Sequence, residues 1–292
     1  MAKISSGSYI TRLQFRLLSS AMASNLPRKG FPWCTLPLLW EKMDLVLFAS
    51  TLQETDKQVE IYEAIFKRDQ SIINMNVKVI LLCRESEGSF QYGNYYREVE
   101  DLRAVVQHFR EQKYVITAIV GHSKGGNVVL LYASKYKDIH IVVNISGRFN
   151  LARGMEGRLD KNFIQRIKQD GYIDVKNKRG KIMYRVTEDS LMDRLSTITH
   201  LACLLIPQGC SVLTIHGSMD EIVPAEDAVE FTKFISNHEL CFIEGADHEY
   251  TSHQDELTSL VLEFIKIHID KDKDTSKPTR FRRVHKSIHS RF

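Results

Sequence analysis

The chain has 292 residues, of which 43% are hydrophobic and 26% are charged, a composition typical of a globular protein with a substantial core. The net charge of +4 comes from the ends, because residues 1–40 carry +5 and residues 271–292 carry +6, which leaves −7 on residues 41–270. This distribution argues against a nucleic-acid-binding protein, whose basic residues would cluster on the fold. No apolar run approaches the roughly 18 residues that a membrane span needs.

The first 40 residues have two interpretations. They are rich in serine and arginine and lack acidic residues, which is the composition of a transit peptide for a plastid or mitochondrion. The alternative is a disordered N-terminus on a cytoplasmic protein. Residues 271–292 are polar and basic and are predicted to form a flexible tail, with attachment to an anionic membrane surface as a further hypothesis. The folded domain is therefore expected over residues 41–270.

Between these ends, short β-branched runs alternate with helical periods. This alternation predicts a mostly parallel sheet flanked by helices. We expect strands at 44–50, 77–83, 114–121, 139–147, 210–217 and 239–245, and helices at 56–68, 99–109, about 225–236 and about 252–268.

Residues 149–207 interrupt this alternation. Their pattern is mostly helical, and nearly sixty residues exceed an ordinary connection between two strands. We expect a helical lid insertion over a site at the strand ends. The alternative is that these helices simply pack on the sheet.

The segment AIVGHSKGGNVVLLYASKY, residues 118–136, predicts a strand, a sharp turn and a helix, with Ser123 at the turn. Gly121 and Gly125 permit a tight turn and let the strand and helix approach closely. In this G-x-S-x-G context Ser123 is a candidate nucleophile, and the backbone N–H of Lys124 would face the oxyanion formed during acyl transfer. Taken alone, the motif is also compatible with an ordinary hydroxyl in a tight turn.

A serine hydroxyl becomes a good nucleophile only when a base takes its proton. Asp220 follows the predicted strand at 210–217, with Glu221 as the neighbouring alternative, and His248 follows the strand at 239–245. Ser123, Asp220 and His248 each stand just past the carboxyl end of a strand, where open parallel sheets bind their ligands. The order serine, acid, histidine also suits a nucleophile-elbow enzyme.

The segments GHSKGG, HGSMDEIVP and EGADHEYTSHQ together resemble the α/β-hydrolase superfamily, specifically its serine aminopeptidase-like (S33-type) and acylglycerol-lipase-like members. SEGSFQYGNYYREVEDLRAVVQHF and YASKYKDIHIVVNISGRFNL are similar to a group of plant α/β-hydrolases. The resemblance runs from Ser86 to Ile269. It implies the α/β-hydrolase fold, with Ser123 as nucleophile, His248 as general base and acid, and Asp220 as the residue that orients His248.

The resemblance does not extend to residues 1–84. Members of the group carry a His-Gly-Phe-type turn whose backbone N–H is the second oxyanion donor. Here the strand at 44–50 runs into TLQETDK, and the strand at 77–83 joins RESEGSF directly. This region is either a divergent N-terminus or the product of a faulty gene model. If the strand at 44–50 takes the missing strand's place, Ala49 or Ser50 is a candidate second donor.

Two functions from different classes follow from these residues. The first is a serine hydrolase that cleaves a small carboxylic ester, or an amide, through an acyl-enzyme and without a metal or cofactor. The second is a catalytically weak or inactive relative that binds a small acyl or hormone-like ligand, or a protein partner. The missing His-Gly turn motivates the second hypothesis. The sequence leaves the acyl length and the oligomeric state open.

Overall fold

The computed structural model describes residues 91–177 and 179–273, together with the backbone of three earlier strands. The predicted helix at 56–68 lies outside the described residues. Most of the segment at 1–40 and of the tail at 271–292 also lies outside them, so the interpretations of both ends stay predictions.

The described part of the chain contains nine strands. They are β1 (Arg16–Leu18), β2 (Asp44–Ala49), β3 (Lys78–Leu82), β4 (Val115–His122), β5 (Ile141–Ile145), β6 (Tyr172–Lys176), β7 (Ile182–Thr187), β8 (Ser211–Gly217) and β9 (His238–Ile243). Seven of them form one sheet in the order β1-β3-β2-β4-β5-β8-β9. Only β1 is antiparallel to its neighbour in this sheet. The mostly parallel sheet is confirmed. The first and last residues of each predicted strand lie within two residues of those of the observed strand.

Helices cover both faces of the sheet. They are α1 (Tyr95–Glu111), α2 (Lys124–Tyr136), α3 (Glu156–Leu159), α4 (Phe163–Asp170), α5 (Glu188–Ser196), α6 (Thr199–Leu205), α7 (Ala225–Thr232) and α8 (Gln254–Lys273). Side chains of α1, α2, α6 and α7 pack on one face, and α8 packs on the other. Strand β5 is therefore buried along its whole length, which explains its unbroken apolar and β-branched character.

The insertion at 149–207 is not entirely helical. It contains α3 to α6, but β6 and β7 form an antiparallel hairpin in which Ile173 pairs with Val186, both buried. The side-chain oxygen of Asn177 accepts from the backbone N–H groups of Arg179 and Lys181, which closes the hairpin turn. The two strands are short and largely exposed, so their alternation of apolar and polar residues is too weak to stand out from helical periods.

Helix α5 anchors this insertion to the segment before α1. Gly93 lies so close to α5 that an added Cβ would stand 2.2 Å from the carbonyl oxygen of Ser190. Arg194, buried on α5, donates to the hydroxyl of Tyr95 at 2.5 Å and to the carbonyl of Leu151 at 3.0 Å. The insertion is therefore fixed at this point, whatever its role over the site.

The substitution Gly93→Ala is expected to loosen α5 from the segment before α1, because a backbone atom rather than a flexible side chain blocks the added Cβ. We expect a loss of about 1–3 kcal/mol in the free energy of unfolding and faster limited proteolysis within residues 149–207. Gly157→Ala, whose Cβ would meet nothing within 4 Å, is the control. Equal proteolysis of the two variants would contradict the anchoring role of Gly93.

Candidate active site

Ser123 is the single residue between β4 and α2. Its backbone angles, φ 55° and ψ −118°, lie in a region that L-residues rarely adopt, so the turn is strained. The surrounding backbone holds it there, because Ser123 N–H donates to the carbonyl of Ile145 at 2.8 Å and Gly126 N–H donates to that of Ser123 at 3.1 Å. A Cβ on Gly121 would lie 2.1 Å from the carbonyl oxygen of Gly125, which explains why this glycine is needed.

The structure brings the three residues of the predicted triad together. Asp220 Oδ2 accepts from His248 Nδ1 at 2.7 Å, and His248 Nε2 lies 3.0 Å from Ser123 Oγ, positioned to accept its proton. The side chain of Asp220 is fully buried and that of His248 is 8% exposed. Glu221, the alternative acid, is exposed, so Asp220 is the carboxylate that contacts His248.

The turns that carry Asp220 and His248 are hydrogen-bonded to each other. Met219 N–H donates to the carbonyl of Ala246 at 3.0 Å, and Gly245 N–H donates to the hydroxyl of Ser218 at 2.8 Å. A Cβ on Gly217 would lie 2.4 Å from the carbonyl oxygen of Ala246. The distance between acid and histidine therefore depends on close contact between the turns after β8 and β9.

The carboxylate of Asp220 is well supplied with donors. Its Oδ1 accepts from the backbone N–H groups of Ile222 and Val223, both at 2.8 Å. Burial alone would raise the pKa of Asp220, but the hydrogen bond and charge of His248 outweigh burial and leave the pKa below its usual value. Asp220 is therefore ionised at neutral pH and holds the Nδ1–H tautomer of His248.

Two further histidines support this arrangement. His122 Nε2–H donates to the backbone carbonyl of His248 at 2.9 Å. Burial, and next the neighbouring His248, lower the pKa of His122 to about 3. His216 donates from Nε2 to the carbonyl of Val223 at 2.9 Å, and the same nitrogen lies 3.4 Å from Asp220 Oδ2. Sequence reasoning did not predict these contacts, which only the folded chain creates.

Strand β2, at 44–49, lies beside β4, the strand that leads into Ser123. β2 runs parallel to β4, with Ala49 level with Gly121, two residues before Ser123. Ser50 and the TLQETDK segment lie outside the described residues, so the second oxyanion donor stays a prediction. Lys124, whose backbone N–H is the first candidate donor, opens α2 directly after Ser123.

The cysteines in the described part of the chain, Cys203, Cys210 and Cys241, are buried, and burial raises the pKa of the first two thiols to about 12. Across residues 91–177 and 179–273, no three His, Cys, Asp or Glu side chains are grouped as a metal site. None of the helices described there combines the length and apolar character needed to cross a membrane.

The substitution Gly217→Ala is expected to separate the two turns, because its Cβ would meet the Ala246 carbonyl. A displacement of about 1 Å between reacting groups costs on the order of 10²-fold, so we expect a loss of that size in the rate at which Ser123 reacts with a fluorophosphonate. Gly209→Ala, with nothing within 4 Å of the added Cβ, should behave as wild type. Unchanged kinetics in Gly217→Ala would show that the contact between the turns does not set the geometry.

The buried neutral state of His122 predicts a pH effect on stability. Between about pH 3 and pH 6.5 the unfolded chain binds a proton at His122 that the folded protein does not, so stability falls as pH falls through this window. Replacing His122 by Gln should remove one proton's contribution, about 1.4 kcal/mol per pH unit, from the slope of unfolding free energy against pH.

Urea unfolding at several pH values within this window measures the slope. Glu98, whose raised pKa of about 7 gives a slope of opposite sign, is present in both proteins and cancels in the comparison. Ser123→Ala retains His122 and should retain the wild-type slope. Identical slopes for wild type and His122→Gln would contradict a neutral His122 in the folded protein.

Solved structures with a similar fold include several hydrolases. Est1E from Butyrivibrio proteoclasticus is 21% identical, with a TM-score of 0.59, and the match covers 79% of this chain and 90% of that one. The monoacylglycerol lipase of Paleococcus ferrophilus is 16% identical, with a TM-score of 0.57 and coverage of 77% and 94%. The α/β hydrolase GrgF from Penicillium sp. sh18 is 16% identical, with a TM-score of 0.61 and coverage of 78% and 91%. The likeness confirms the expected α/β-hydrolase fold.

Sequence comparison gives the family. An uncharacterised protein of Saccharomyces cerevisiae, YDL057W, is 26% identical over 161 residues, which are 53% of this chain and 49% of the yeast protein, so the chain spans about half of that relative's length. The specific likeness to serine aminopeptidase-like and plant members stays a prediction. The model of the prolyl oligopeptidase family matches residues 85–272, beginning where the resemblance in the sequence also begins. This match covers more than half of the chain and includes Ser123, Asp220 and His248, and the chain therefore belongs to the prolyl oligopeptidase family.

Proposed function

We propose that the chain is a serine hydrolase that cleaves carboxylic esters through an acyl-enzyme, with Ser123 as nucleophile, His248 as general base and acid, and Asp220 as the orienting carboxylate. The observation that carries the proposal is the hydrogen-bonded line from Ser123 Oγ through the imidazole of His248 to Asp220. Its members come from three separate turns and meet at the carboxyl ends of β4, β8 and β9. Membership of a family of serine hydrolases supports the same chemistry.

The geometry supports the following steps. His248 Nε2 takes the hydroxyl proton as Ser123 Oγ bonds to the ester carbonyl carbon, and the carbonyl oxygen becomes an oxyanion facing the N–H of Lys124. The C–O bond to the alcohol then breaks, and the alcohol leaves with the proton from His248. Water then attacks the acyl carbon as His248 Nε2 takes one of its protons. The bond from that carbon to Ser123 Oγ breaks, His248 returns the proton to Oγ, and the carboxylic acid leaves. Ionised Asp220 stabilises the imidazolium in both halves of the cycle.

An ester with an apolar part is the substrate class that the surface favours. Met219 and Ile222, on either side of Asp220, are 62% and 41% exposed. The insertion exposes further large apolar side chains, among them Met192, Ile198, Leu201, Leu204 and Leu205. We therefore propose that residues 149–207 help to bind the apolar part of the substrate, as a lid or as a wall of the site. An amide remains the second substrate class, and ester is preferred because its alcohol leaves more readily than an amine.

The second oxyanion donor decides how active such an enzyme is. Loss of one donor typically lowers turnover by about 10²–10³-fold. The position of β2 beside β4 supports a donor at Ala49 or Ser50, since the backbone there follows the strand next to the nucleophile. The absence of a His-Gly turn after this strand favours the second function, a weak or inactive relative that binds a small acyl ligand.

Labelling with a fluorophosphonate separates these functions. We expect the folded wild type to react at Ser123, and Ser123→Ala and heat-denatured protein to remain unlabelled. In an ester screen, Ser123→Ala should lower kcat by about 10⁴- to 10⁶-fold. A demonstrably folded wild type that takes no label would contradict the hydrolase. A ligand that raises Tm equally in wild type and Ser123→Ala, without turnover in either, would then support the binding function.

A further inference from the structure

The side chain of Lys124 is buried against the segment that precedes and opens α1, with 9% of its surface exposed. Its ammonium donates to the carbonyl oxygens of Gln91, at 2.8 Å, and Gly93, at 2.6 Å, and forms an ion pair with Glu98. These partners match the three N–H donors of an ammonium. The ring of Tyr95 lies 5.0 Å from Nζ, within the range of a cation–π interaction. Lys124 is therefore fixed at both ends, by its backbone in the turn at Ser123 and by the contacts of its ammonium.

The segment that receives this ammonium also contacts the insertion. Asn94 N–H donates to the carboxylate of Asp193, and the hydroxyl of Tyr95 accepts from Arg194. Both partners lie on α5. The ammonium of Lys124 thus connects the first residue of the nucleophile helix to the helix that anchors the insertion.

A contribution to stability alone does not explain the ion pair of Lys124 and Glu98. Desolvation lowers the pKa of Lys124 and raises that of Glu98 to about 7, and the charge of Asp193 acts on both groups. The pair is partly buried, with 26% of the Glu98 side chain exposed. The attraction in such a pair recovers little more than its desolvation cost, and apolar side chains of similar volume often stabilise a protein as well or better. What a lysine supplies here, and an apolar side chain does not, is directional bonding to two backbone carbonyls.

A second pair links the same two helices without touching the site. Lys135 Nζ lies 2.6 Å from Glu100 Oε1, and the two side chains are 44% and 52% exposed. This pair joins α2 to α1 at the opposite end of α2 from Ser123. It is a matched control for the general effect of breaking a charge pair between these helices.

We propose that Lys124 is a positioning residue, whose ammonium, through the carbonyls of Gln91 and Gly93, fixes its own backbone N–H relative to Ser123 Oγ and the anchored insertion. The inference rests on the proposed function, in which that N–H is an oxyanion donor. Lys124 then has two tasks, since its backbone stabilises the oxyanion and its side chain sets where the backbone stands.

The substitution Lys124→Met is expected to lower kcat by about 10- to 100-fold, because the donor is displaced rather than removed, and to change KM by less than about threefold. Affinity for a trifluoromethyl ketone should fall by the same factor as kcat/KM, since the ketone adds to Ser123 as a tetrahedral oxyanion. A merely structural role for Lys124 would not make these two quantities change together.

The double variant Lys124→Met with Glu98→Gln also removes the partly buried carboxylate that Lys124→Met leaves without its ion-pair partner. We expect it to regain most of the wild-type Tm but not the wild-type kcat, and it is the test variant if Lys124→Met alone does not fold. Glu98→Gln alone keeps the two carbonyl contacts of Lys124 and should stay within about threefold of wild-type kcat. Lys135→Met with Glu100→Gln should leave kcat and the ketone affinity unchanged.

The outcomes distinguish a failure of the proposed function from a failure of the role proposed for Lys124. A wild type that is neither labelled by the fluorophosphonate nor active on esters refutes the proposed function and removes the basis for positioning. An active wild type with full kcat in the folded double variant overturns only the role of Lys124. A tenfold loss in Glu98→Gln would likewise overturn it, because the anchoring contacts to Gln91 and Gly93 would still be present.

Discussion

The close approach of β4 and α2 is the constraint on which the site depends. Ser123 can project from so sharp a turn only because Gly121, which lacks a Cβ, lets the strand backbone approach the carbonyl of Gly125 in the helix. The positive φ of Ser123 is maintained by hydrogen bonds to the neighbouring strand β5 and within α2. The strained backbone of Ser123 is thus stabilised by a sheet that is buried on both faces, where the backbone cannot relax without breaking core contacts.

The electrostatics of the site follow from the same burial. Three histidines lie around one carboxylate, yet burial keeps His122 and His216 neutral at neutral pH. Of the three, only His248 contacts both a hydroxyl, through Nε2, and an ionised carboxylate, through Nδ1. The other two histidines donate to backbone carbonyls and so fix the turns around the triad. One residue type therefore performs two kinds of work, separated by which atoms face each ring.

The sequence was sufficient to predict which side chains meet at one edge of the sheet. Ser123, Asp220 and His248 each follow a strongly apolar run, and parallel topology then brings their turns to one edge. It was insufficient for the hairpin of β6 and β7, whose exposed strands carry a faint alternation. It also missed the side chain of Lys124, whose partners are supplied by a distant turn of the chain rather than by any local motif. Contacts of this kind leave no periodic signal in one sequence.

The anchoring of α5 has a consequence for how such proteins diversify. Gly93 and Tyr95 belong to the segment that enters α1, yet they are shaped to receive Ser190 and Arg194 of the insertion. Exchange of residues 149–207 between relatives would therefore leave mismatched surfaces unless the stretch at 91–98 travelled with them. The insertion and the stretch at 91–98 are accordingly two separate pieces of chain that must vary together.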